Sequence, residues 1–508
     1  MLTALNFRNH LFSRCPKRRQ AASPRPDIPI SAENVRAVFE GCADFVMRGA
    51  RLGGENFITP SVCFIDGIVS SEAVSRDVLR PLTSAERFGG VRDEDEAVSL
   101  MSAGMVTDCT VNVRESMDAL VDDVLSGFCA VVLEGRAVTF ETKGGEKRAV
   151  GEARSEKAVK GSRDALTEVL RTNTGLIRRR IHDPDLKICE LTVGRRSRTR
   201  LAVLYIKGLT DSDMVRKLLS CVASMDVDAV ASPSALEEYI VEKPASPFPQ
   251  VQSTERPDKL CIGLLEGRAA VLADGIPLGF LLPGTLAEFF KVPDDVAGHF
   301  IVASALTLLR WVSLAVSLLL PAVYVAVTMY HQEMLPTKLM LSIIESRREV
   351  PFPTAVEVLG MMLALELLQE ASLRLPQNIG DPMGIIGALI VGQAAVEAKI
   401  VSPAVVIVAA AAGITGYTVP DQDLSAAMRL SRFALAGLGL ALGLFGVVTG
   451  LILLVWHLST LENLGVAYLW PLAGGNAREV SQAVLRRPIR SEKMRKRGFN
   501  VEDARERG

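Results

Sequence analysis

The sequence lacks the short motifs that mark common enzyme and metal sites. It contains no GxGxxG or Walker A loop to hold a nucleotide phosphate, and no CxxC pair or HExxH helix to hold a metal. Its five histidines are too few and too scattered to suggest a catalytic triad or a metal centre. We therefore expect a protein that is not an enzyme, with no catalytic residue, no metal and no cofactor.

Cysteine is absent after residue 261. All eight cysteines lie between Cys15 and Cys261, and none has the spacing of a metal site. This distribution favours reduced, mostly buried thiols in a reducing compartment. The N-terminus has basic residues but lacks the apolar core of a signal peptide. We expect residues 1–34 to be a disordered, basic and proline-rich tail, and the soluble part to face the cytosol.

Aromatic residues are scarce, at 5% of the chain, and their placement is uneven. All three tryptophans (Trp311, Trp456 and Trp470) lie within residues 301–471, near the ends of long apolar runs. Tryptophan prefers the boundary between membrane and water, where its ring is half buried and its N–H stays hydrated. We therefore predict an α-helical, multi-span membrane domain over 301–471, followed by a basic cytosolic tail over 472–508.

Four membrane spans are predicted in this domain. An apolar helix needs about 20 residues to cross the hydrocarbon core. The basic tail and the N-terminal region should both stay in the cytosol, so the number of complete crossings must be even. Glycines in the last apolar run recur at spacings that let helices approach closely. The predicted spans are 311–330, one of 354–375 or 384–398, 401–420 and 433–456.

The soluble half contains an internal repeat. The stretch VCFIDGIVSSEAVSRDVLRPL at 62–82 resembles AVLYIKGLTDSDMVRKLLSCV at 202–222, each with an apolar run, a glycine and an amphipathic pattern. This order predicts a buried strand, a tight turn and a helix. The tetrapeptide EGRA also occurs twice, at 134–137 and 266–269, each time between two strand-like runs, as in a hairpin.

The repeats predict an α+β cytosolic region of two related α/β subdomains, 35–150 and 195–290, joined by a basic helical connector over 151–194. In the connector, three consecutive arginines at 178–180 follow an amphipathic helix. Such a cluster can bind acidic lipid headgroups, nucleic acid or a neighbouring subunit, or it can be a solvated helix end with local salt bridges. Nucleic acid is disfavoured, because no aromatic residues interleave the basic ones. The proline-rich stretch 243–260 is predicted to be an extended linker.

Residues 351–377 are nearly apolar but carry carboxylates. Glu366 and Glu370 are four residues apart and therefore share one face of a helix. A charged side chain in the middle of a bilayer costs about 2.5–3.5 kcal/mol, so each carboxylate needs water, a cation or a proton. In one interpretation, Glu370 pairs with Arg374 while Glu366 hydrogen-bonds within the helix bundle. In the other, the helix forms the wall of an ion path, where carboxylates from several subunits favour cations.

The second interpretation gives a set of candidate pore-lining residues. Leu359, Met362 and Leu363 lie near the helix face that carries the two glutamates. In the following stretch, Gln393 and Glu397 are also four residues apart. The candidate pore-lining residues are Leu359, Met362, Leu363, Glu366, Glu370, Gln393 and Glu397.

Several longer motifs identify a family. They are LRTNTGLIRRRI at 170–181, SPFPQ at 246–250, TERPD at 254–258, HQEMLPTKL at 331–339, LRLPQNIG at 373–380, IIGALIVGQAAVEAKIVSPAVVIV at 385–408 and RLSRF at 429–433. With these motifs in this order, the chain resembles the A subunit of spore germinant receptors, the GerA family, which includes the stage V sporulation AF proteins. The resemblance covers roughly residues 40–475. Glu462 and Ala467 depart from the family pattern, which leaves open the choice between a full germinant receptor subunit and an accessory AF-type protein.

The resemblance implies an integral membrane protein of the endospore inner membrane, with both termini cytosolic. It implies three kinds of protein partner, namely further copies of the chain, a transporter-like B subunit that senses the nutrient and a lipoprotein C subunit. The implied function is an oligomeric, ligand-gated cation channel that triggers germination, with its pore helix in 354–375. The alternative is a non-conducting scaffold or signalling subunit that organises receptor clusters while another subunit moves ions. Membrane lipids are expected partners, and nucleic acid is not.

Overall fold

The computed structural model describes most of the chain. The described residues are 28–52, 58–88, 91, 93–106, 110–144, 151, 156, 161–374, 387, 390–488, 495, 497–499 and 501–503. The chain divides into two compact units, one comprising Met1–Glu146 with His182–Pro184 and the other Lys147–Ile181 with Asp185–Gly508. Each unit contains a five-stranded sheet, and the second also contains the long apolar helices.

The first unit is built on an antiparallel sheet. Its strands are β1 (Phe45–Gly49), β2 (Ser61–Ile65), β3 (Val111–Arg114), β4 (Phe128–Val132) and β5 (Ala137–Glu141), in the order β1-β2-β4-β5-β3. Its helices are α1 (Ala32–Val38), α2 (Ser71–Ala73), α3 (Arg80–Thr83), α4 (Ala85–Phe88), α5 (Glu94–Leu100) and α6 (Met117–Leu125). Two π-helical stretches, Val74–Leu79 and Met101–Met105, continue α2 and α5. Successive strand residues such as Ala130 and Val131 enter separate apolar clusters, because side chains alternate between the two faces of a sheet.

The second unit contains a second antiparallel sheet with an equivalent strand order. Its strands are β6 (Leu186–Val193), β7 (Thr199–Ile206), β8 (Gln252–Thr254), β9 (Ala269–Ala273) and β10 (Gly279–Leu282), in the order β6-β7-β9-β10-β8. Its helices are α7 (Leu170–Arg178), α8 (Ser212–Ala223), α9 (Pro233–Ile240) and α10 (Pro257–Leu265). In both sheets the third strand in sequence is an edge strand beside the fifth. We call β6–β10 with α7–α10 the second sheet domain.

The first part of the predicted repeat is confirmed. In each copy a buried strand, β2 or β7, is followed by a glycine and then by a helix. Gly67 and Gly208 have φ values of 92° and 75°, which glycine adopts without the steric penalty of a Cβ. The apolar run, the glycine and the amphipathic pattern therefore correspond to the predicted strand, turn and helix.

The second EGRA segment differs from the prediction. The first copy joins β4 to β5 as a hairpin, but the copy at 266–269 joins α10 to β9 and is a helix-to-strand turn. Pro257 stands in the first turn of α10, where its fixed φ and missing N–H suit a helix. Leu260 and Leu264, four residues apart, are both buried against the sheet. A short buried helix and a buried strand give similar apolar runs, so the pattern alone did not separate them.

Two predicted boundaries also differ from the structure. β6 lies inside the range 151–194, which was predicted to be a helical connector. β8 and the start of α10 lie inside 243–260, which was predicted to be an extended linker. The reason is tertiary pairing, since β6 bonds to β7 and β8 bonds to β10. Edge strands of this kind depend on their partner more than on their own composition.

The apolar region is helical. Its helices are α11 (Pro293–Ala297), α12 (Phe300–Tyr330), α13 (Thr337–Arg347), α14 (Thr354–Arg374), α15 (390–397), α16 (Pro403–Gly416), α17 (Gln422–Thr460) and α18 (Ala477–Val484). A two-stranded ladder of β11 (Glu462–Asn463) and β12 (Val466–Ala467) follows α17. Within the described residues, α12 and α17 are long and apolar enough to cross a membrane, and α16 is a shorter apolar helix. The predicted stretch 384–398 lies partly outside the described residues.

Helix α17 is not one straight span. At Gly443 the backbone has φ 62° and ψ −145°, a conformation that residues other than glycine rarely adopt. Beyond this residue the chain turns back, because Gly450 lies against the side chain of Leu435. In a straight helix these two residues would be about 22 Å apart. α17 is therefore a hairpin of two arms, 422–442 and 444–460.

This hairpin takes the place of the single span predicted over 433–456. The backbone of Gly439 lies against the carbonyl oxygen of Ala322 in α12, at a distance that leaves no room for a Cβ. Gly446 lies still closer to the carbonyl oxygen of Leu438 in the opposite arm. The predicted use of these glycines for close helix contact is confirmed. One of their contacts is made within the hairpin itself.

The second sheet domain is attached to the end of α17. Leu464, which follows the helix, is buried in the core of the sheet domain. Asn463 Nδ2 donates a 3.1 Å hydrogen bond to the carbonyl oxygen of Gln250. Ser246 Oγ lies 2.9 Å from Nε2 of His457, in the last turn of α17. The proline-rich stretch is therefore docked against the helix end rather than extended away from it.

Candidate functional site

Helix α14 packs one side against the other long helices. Ala355, Val358 and Met362 are buried in a cluster that includes Val325 of α12 and Val405 of α16. These positions on α14 recur at spacings of three and four residues, as expected for one side of a helix. We call this side the inner face of α14.

Glu357, in the first turn of α14, is completely buried and fully satisfied. Its Oε1 lies 3.2 Å from Nε of Arg347, and its side chain has no exposed surface. Its Oε2 accepts a 2.8 Å hydrogen bond from the backbone N–H of Ser402, the N-cap residue of α16. A carboxylate in the first turn also interacts favourably with the helix dipole. Glu357 therefore connects α14 to the end of α13 and to the start of α16.

Glu366 joins three helices through two arginines. Its Oε1 accepts a 2.7 Å hydrogen bond from Nη1 of Arg429, and its Oε2 lies 3.7 Å from Nη2 of Arg432. Arg432 Nη1 also donates a 3.1 Å hydrogen bond to the carbonyl oxygen of Ala412 in α16. Two guanidinium groups offset the cost of placing a carboxylate among apolar helices. For Glu366 the structure supports the interpretation in which the carboxylate bonds within the helix bundle.

Three of the predicted pore-lining residues face the interior of the chain. Met362 is only 2% exposed and belongs to the inner face. Leu359 is half-buried and packs against the cluster shared by α12 and α17. Glu366 is held by its arginines. In this conformation these three side chains lie behind the outward surface of α14.

The other four predicted residues are exposed. Leu363 and Glu370 lie on the outward side of α14, and Gln393 and Glu397 lie on α15. The predicted pairing of Glu370 with Arg374 involves an arginine side chain outside the described ones. The structure therefore divides the predicted set between two sides of α14 and does not bring all seven residues together.

The outward side of α14 carries a regular stripe. Its members are Val356, Gly360, Leu363, Leu367 and Glu370, at spacings of four, three, four and three residues. This heptad spacing is typical of the seam between two packed helices. The three large apolar side chains are 50%, 54% and 63% exposed, so the described part of the chain does not cover them. We call these five residues the outer stripe.

The arginine partners of Glu357 and Glu366 were not predicted from the sequence. Arg429 and Arg432, three residues apart, share one side of the first arm of α17. Basic residues inside an otherwise apolar helix need an acidic partner, and this signal was available in RLSRF at 429–433. Arg347 precedes α14 by a few residues and could have been matched to Glu357. Their distances along the chain did not indicate which acid each one meets.

The basic cluster of the predicted connector is engaged within the chain. Arg178 is fully buried and donates a 2.8 Å hydrogen bond to the carbonyl oxygen of Leu186. Arg180 Nη2 lies 2.6 Å from Oδ2 of Asp164. Arg179 between them is exposed. These contacts favour the interpretation of a helix end with local salt bridges.

An acidic group of the second sheet domain faces the start of α17. Glu237 of α9 is half-buried, and this burial raises its pKa to about 7. The negative charges of Asp423 and Asp421 contribute a smaller part of this rise. Asp421 is the N-cap of α17 and accepts a hydrogen bond from the backbone N–H of Leu424. Protonation at this junction is therefore favoured near neutral pH.

Within the described ranges, no group of three or more His, Cys, Asp or Glu residues is placed to hold a metal ion. The carboxylates of α14 are separated along the helix and are engaged mainly by arginines. The arrangement is suited to holding helices together and to presenting one exposed side of α14.

Comparison with known proteins gives the family. The profile described as Bacillus/Clostridium GerA spore germination protein matches residues 33–498. "Uncharacterized membrane protein YfkQ" of Bacillus subtilis (strain 168) is 35% identical over 465 residues, which cover 91% of this chain and 89% of that protein. Spore germination protein KA of the same organism is 33% identical over 463 residues, covering 91% of this chain and 84% of that protein.

Among solved structures, the N-terminal domain of the A subunit of a Bacillus megaterium spore germinant receptor is similar at 25% identity. The TM-score is 0.41, and the match covers 51% of this chain and 97% of that domain. The profile match extends over most of the sequence, and the motifs that suggested the resemblance fall within it. The chain belongs to the GerA family of spore germination proteins, as its motifs predicted.

Proposed function

We propose that this chain is a membrane subunit of a spore germinant receptor, and that several copies form a cation channel that opens on nutrient sensing. Membership of the GerA family supports a role in spore germination. The observation that carries the channel proposal is the division of α14 into two sides. Glu357 and Glu366, on opposite edges of its buried surface, are bound by arginines, while its outer stripe remains exposed and ends in Glu370.

The outer stripe supports assembly from copies of the same chain. A heptad stripe of apolar residues on an exposed helix packs well against an equivalent helix. In a ring of copies, Leu363 and Leu367 would form an apolar constriction. Glu370 would supply oxygen atoms at one end, and Gln393 and Glu397 of α15 would supply them toward the other end. Rings of carboxylates favour cations over anions. Leu359, Met362 and Glu366 would support this wall from behind.

The contacts of α17 support a definite membrane arrangement. Trp311, in the first half of α12, stacks on Phe290, which follows the second sheet domain in the chain, with ring centroids 4.0 Å apart. The turn at Gly443 lies against Tyr330, at the other end of α12. Both arms of α17 would therefore cross alongside α12. Both ends of α17 would return to the side of the second sheet domain.

Helices α14 and α16 run opposite to α12. Near their starts both adjoin Val325, in the second half of α12, and further along both contact Arg432 in the first arm of α17. A segment that includes α15 must then return between them. We therefore propose six passes rather than four, made by α12, α14, the α15 segment, α16 and the two arms of α17. An even number keeps both termini in the cytosol.

The family relationship extends the proposal to location and partners. We place the chain in the inner membrane of the endospore, in contact with membrane lipids. Its protein partners would be further copies of itself, a transporter-like B subunit that senses the nutrient and a lipoprotein C subunit. No nucleic-acid partner is proposed, since the arginines at 178 and 180 are engaged within the chain.

A second candidate function is a non-conducting scaffold that organises receptor clusters. The docking of the second sheet domain onto α17 favours it. Through this junction the sheet domain can hold the last helix in place or pass a movement of the domain on to that helix. Reconstitution separates the two functions. The purified chain in sealed liposomes should release K⁺ or Na⁺ if it forms a channel. Sealed liposomes that contain folded protein and stay silent would support the scaffold.

Two substitutions sharpen this experiment. Leu363→Ala widens the apolar constriction and should change the cation leak and the germination rate. Met362→Ala changes the adjacent residue on the inner face and should alter the leak far less at equal protein levels. The channel proposal would lose its assigned helix if neither substitution changed the leak.

A further inference from the structure

The C-terminal segment of the chain is docked, although the sequence predicted a basic tail over 472–508. We call residues 495–503 the C-terminal segment, and the structure describes 495, 497–499 and 501–503 of it. They lie against the second sheet domain and the turn that follows α17. Their contacts involve an aromatic anchor, backbone hydrogen bonds and a close approach of glycine.

Phe499 is the anchor of this segment. Its side chain is completely buried, and its ring centroid lies 5.5 Å from that of Trp470. On the other side, the guanidinium carbon of Arg268 lies 5.9 Å from the ring centroid. Val466 of β12 completes the apolar contact. An aromatic ring between an indole and a buried guanidinium gains both apolar burial and a cation–π interaction.

Hydrogen bonds fix the segment on each side of the anchor. The backbone N–H of Glu502 donates a 3.0 Å hydrogen bond to the carbonyl oxygen of Leu209. Its carboxylate accepts a hydrogen bond from Ser212 Oγ. Before the anchor, Arg495 Nε donates a 3.2 Å hydrogen bond to the carbonyl oxygen of Leu265. The segment is therefore held at several points and in one direction.

Two glycines allow this close contact. Val501 occupies the space in which a Cβ on Gly267 would lie. On the segment itself, a Cβ added to Gly498 would overlap the indole ring of Trp470. The site therefore selects a glycine directly before the aromatic anchor, since any larger residue would push the segment away from Trp470.

We propose that the second sheet domain carries a peptide-binding groove for a short segment with a glycine followed by an aromatic residue. The groove is lined by Leu209, Leu265, Gly267, Arg268 and Trp470, and we call it the C-terminal groove. Its occupant is the chain's own C-terminal segment. One wall of the groove belongs to the sheet domain and the other to the turn after α17. An occupied groove therefore fastens the domain to the end of the last helix arm.

Occupancy by the chain itself has a measurable consequence. A tethered segment has an effective concentration on the order of millimolar, so it excludes a free peptide present at micromolar concentration. A chain whose own segment cannot dock leaves the groove open to that peptide. The proposal does not depend on ion conduction, so its failure would leave the proposed channel untouched.

The test uses the full-length chain in detergent and a fluorescent peptide of residues 489–508. Gly498→Ala in the chain should expel its own segment, and the free peptide should then bind at least about tenfold more tightly than to the unmodified chain. Gly508→Ala makes the same chemical change outside the described contacts and should leave the peptide excluded. A peptide carrying Gly498→Ala or Phe499→Ala should bind neither chain.

Equal binding of the peptide to the unmodified and Gly498→Ala chains would overturn the proposal, as would no binding to either. Hydrogen exchange of the unmodified chain gives an independent reading if the variant fails to fold. The amide of Glu502 should exchange at least about tenfold more slowly than in the free peptide. Exchange at the rate of the free peptide would also overturn the proposal.

Discussion

The inner and outer sides of α14 differ in whether the rest of the chain supplies contacts for their side chains. On the inner side the apolar residues are buried, and at its two edges Glu357 and Glu366 are each held by arginine. On the outer side, a heptad stripe of large apolar residues is half exposed or more. The inner side is complete within one chain. The outer side requires something beyond it, either lipid or another copy.

This difference explains why a nearly apolar helix carries several acids. A carboxylate among apolar helices is tolerated when a cation and hydrogen bonds compensate its lost hydration. Glu357 and Glu366 therefore act as fixed connections between helices. Glu370 lies on the outer side, where we propose that it faces other copies of the chain. The following predictions probe this division, beginning with the largest expected effect.

Glu357→Ala should cause the largest loss of stability. The substitution leaves the guanidinium of Arg347 and the backbone N–H of Ser402 without their acceptor. Breaking a buried ion pair by removing one partner costs about 3–5 kcal/mol, so the thermal midpoint in detergent should fall by several degrees. Glu345→Ala removes an exposed carboxylate from α13 and is the matched control, with an expected change below about 0.5 kcal/mol. Equal shifts for the two variants would show that the inner acid is not a connection.

Glu366 and Arg429 should be energetically coupled. A double-mutant cycle of Glu366→Gln and Arg429→Gln should give a coupling free energy of about 1–2 kcal/mol, since both side chains are about one quarter exposed. The measurement is the thermal or denaturant stability of the four proteins. The control is a cycle of Glu366 with the distant Arg310, which binds Asp295. Its coupling free energy should be less than about 0.5 kcal/mol. A coupling as small as that control would mean the pair does not hold α14 to α17.

Glu237, which lies outside α14, should make the stability of the chain depend on pH. Burial raises its pKa from 4.5 to about 7, so the folded chain binds the proton more tightly than the unfolded chain. Its contribution is therefore fully present below pH 4.5 and is lost as the pH rises to about 7. Glu237→Gln should remove this loss and should be more stable than the parent at pH 8 by about 1 kcal/mol, allowing for solvent screening. Glu238→Gln, at an exposed neighbour, should retain the parent's profile.

Part of the fold followed from local pattern. The strand, glycine and helix around Gly67 and Gly208 were predicted correctly, because a positive φ and alternating apolar residues are local properties. The second EGRA was assigned wrongly, because a short buried helix and a buried strand share an apolar run. The family was also predictable, since its motifs are long and occur in order.

The site was predictable only in part. Spacing placed Glu366 and Glu370 on one general side of a helix, but it gave no information on which side faces the bundle. That orientation depends on Arg429 and Arg432, which lie more than sixty residues further along the chain. The turn at Gly443 was hidden for a similar reason, since a glycine-rich apolar run suits either a straight packed helix or a hairpin.

The most direct test of the two-sided helix is thiol block of the reconstituted chain. Leu363→Cys and Met362→Cys place a thiol on the outer stripe and on the inner face, at adjacent residues. Cation flux is measured in liposomes, and the unmodified chain shows any effect of the reagent on the native cysteines. A charged thiol reagent should block flux through the Leu363→Cys protein. The Met362→Cys protein should be unaffected. Block of the Met362→Cys protein alone, or of neither while flux persists, would contradict the account.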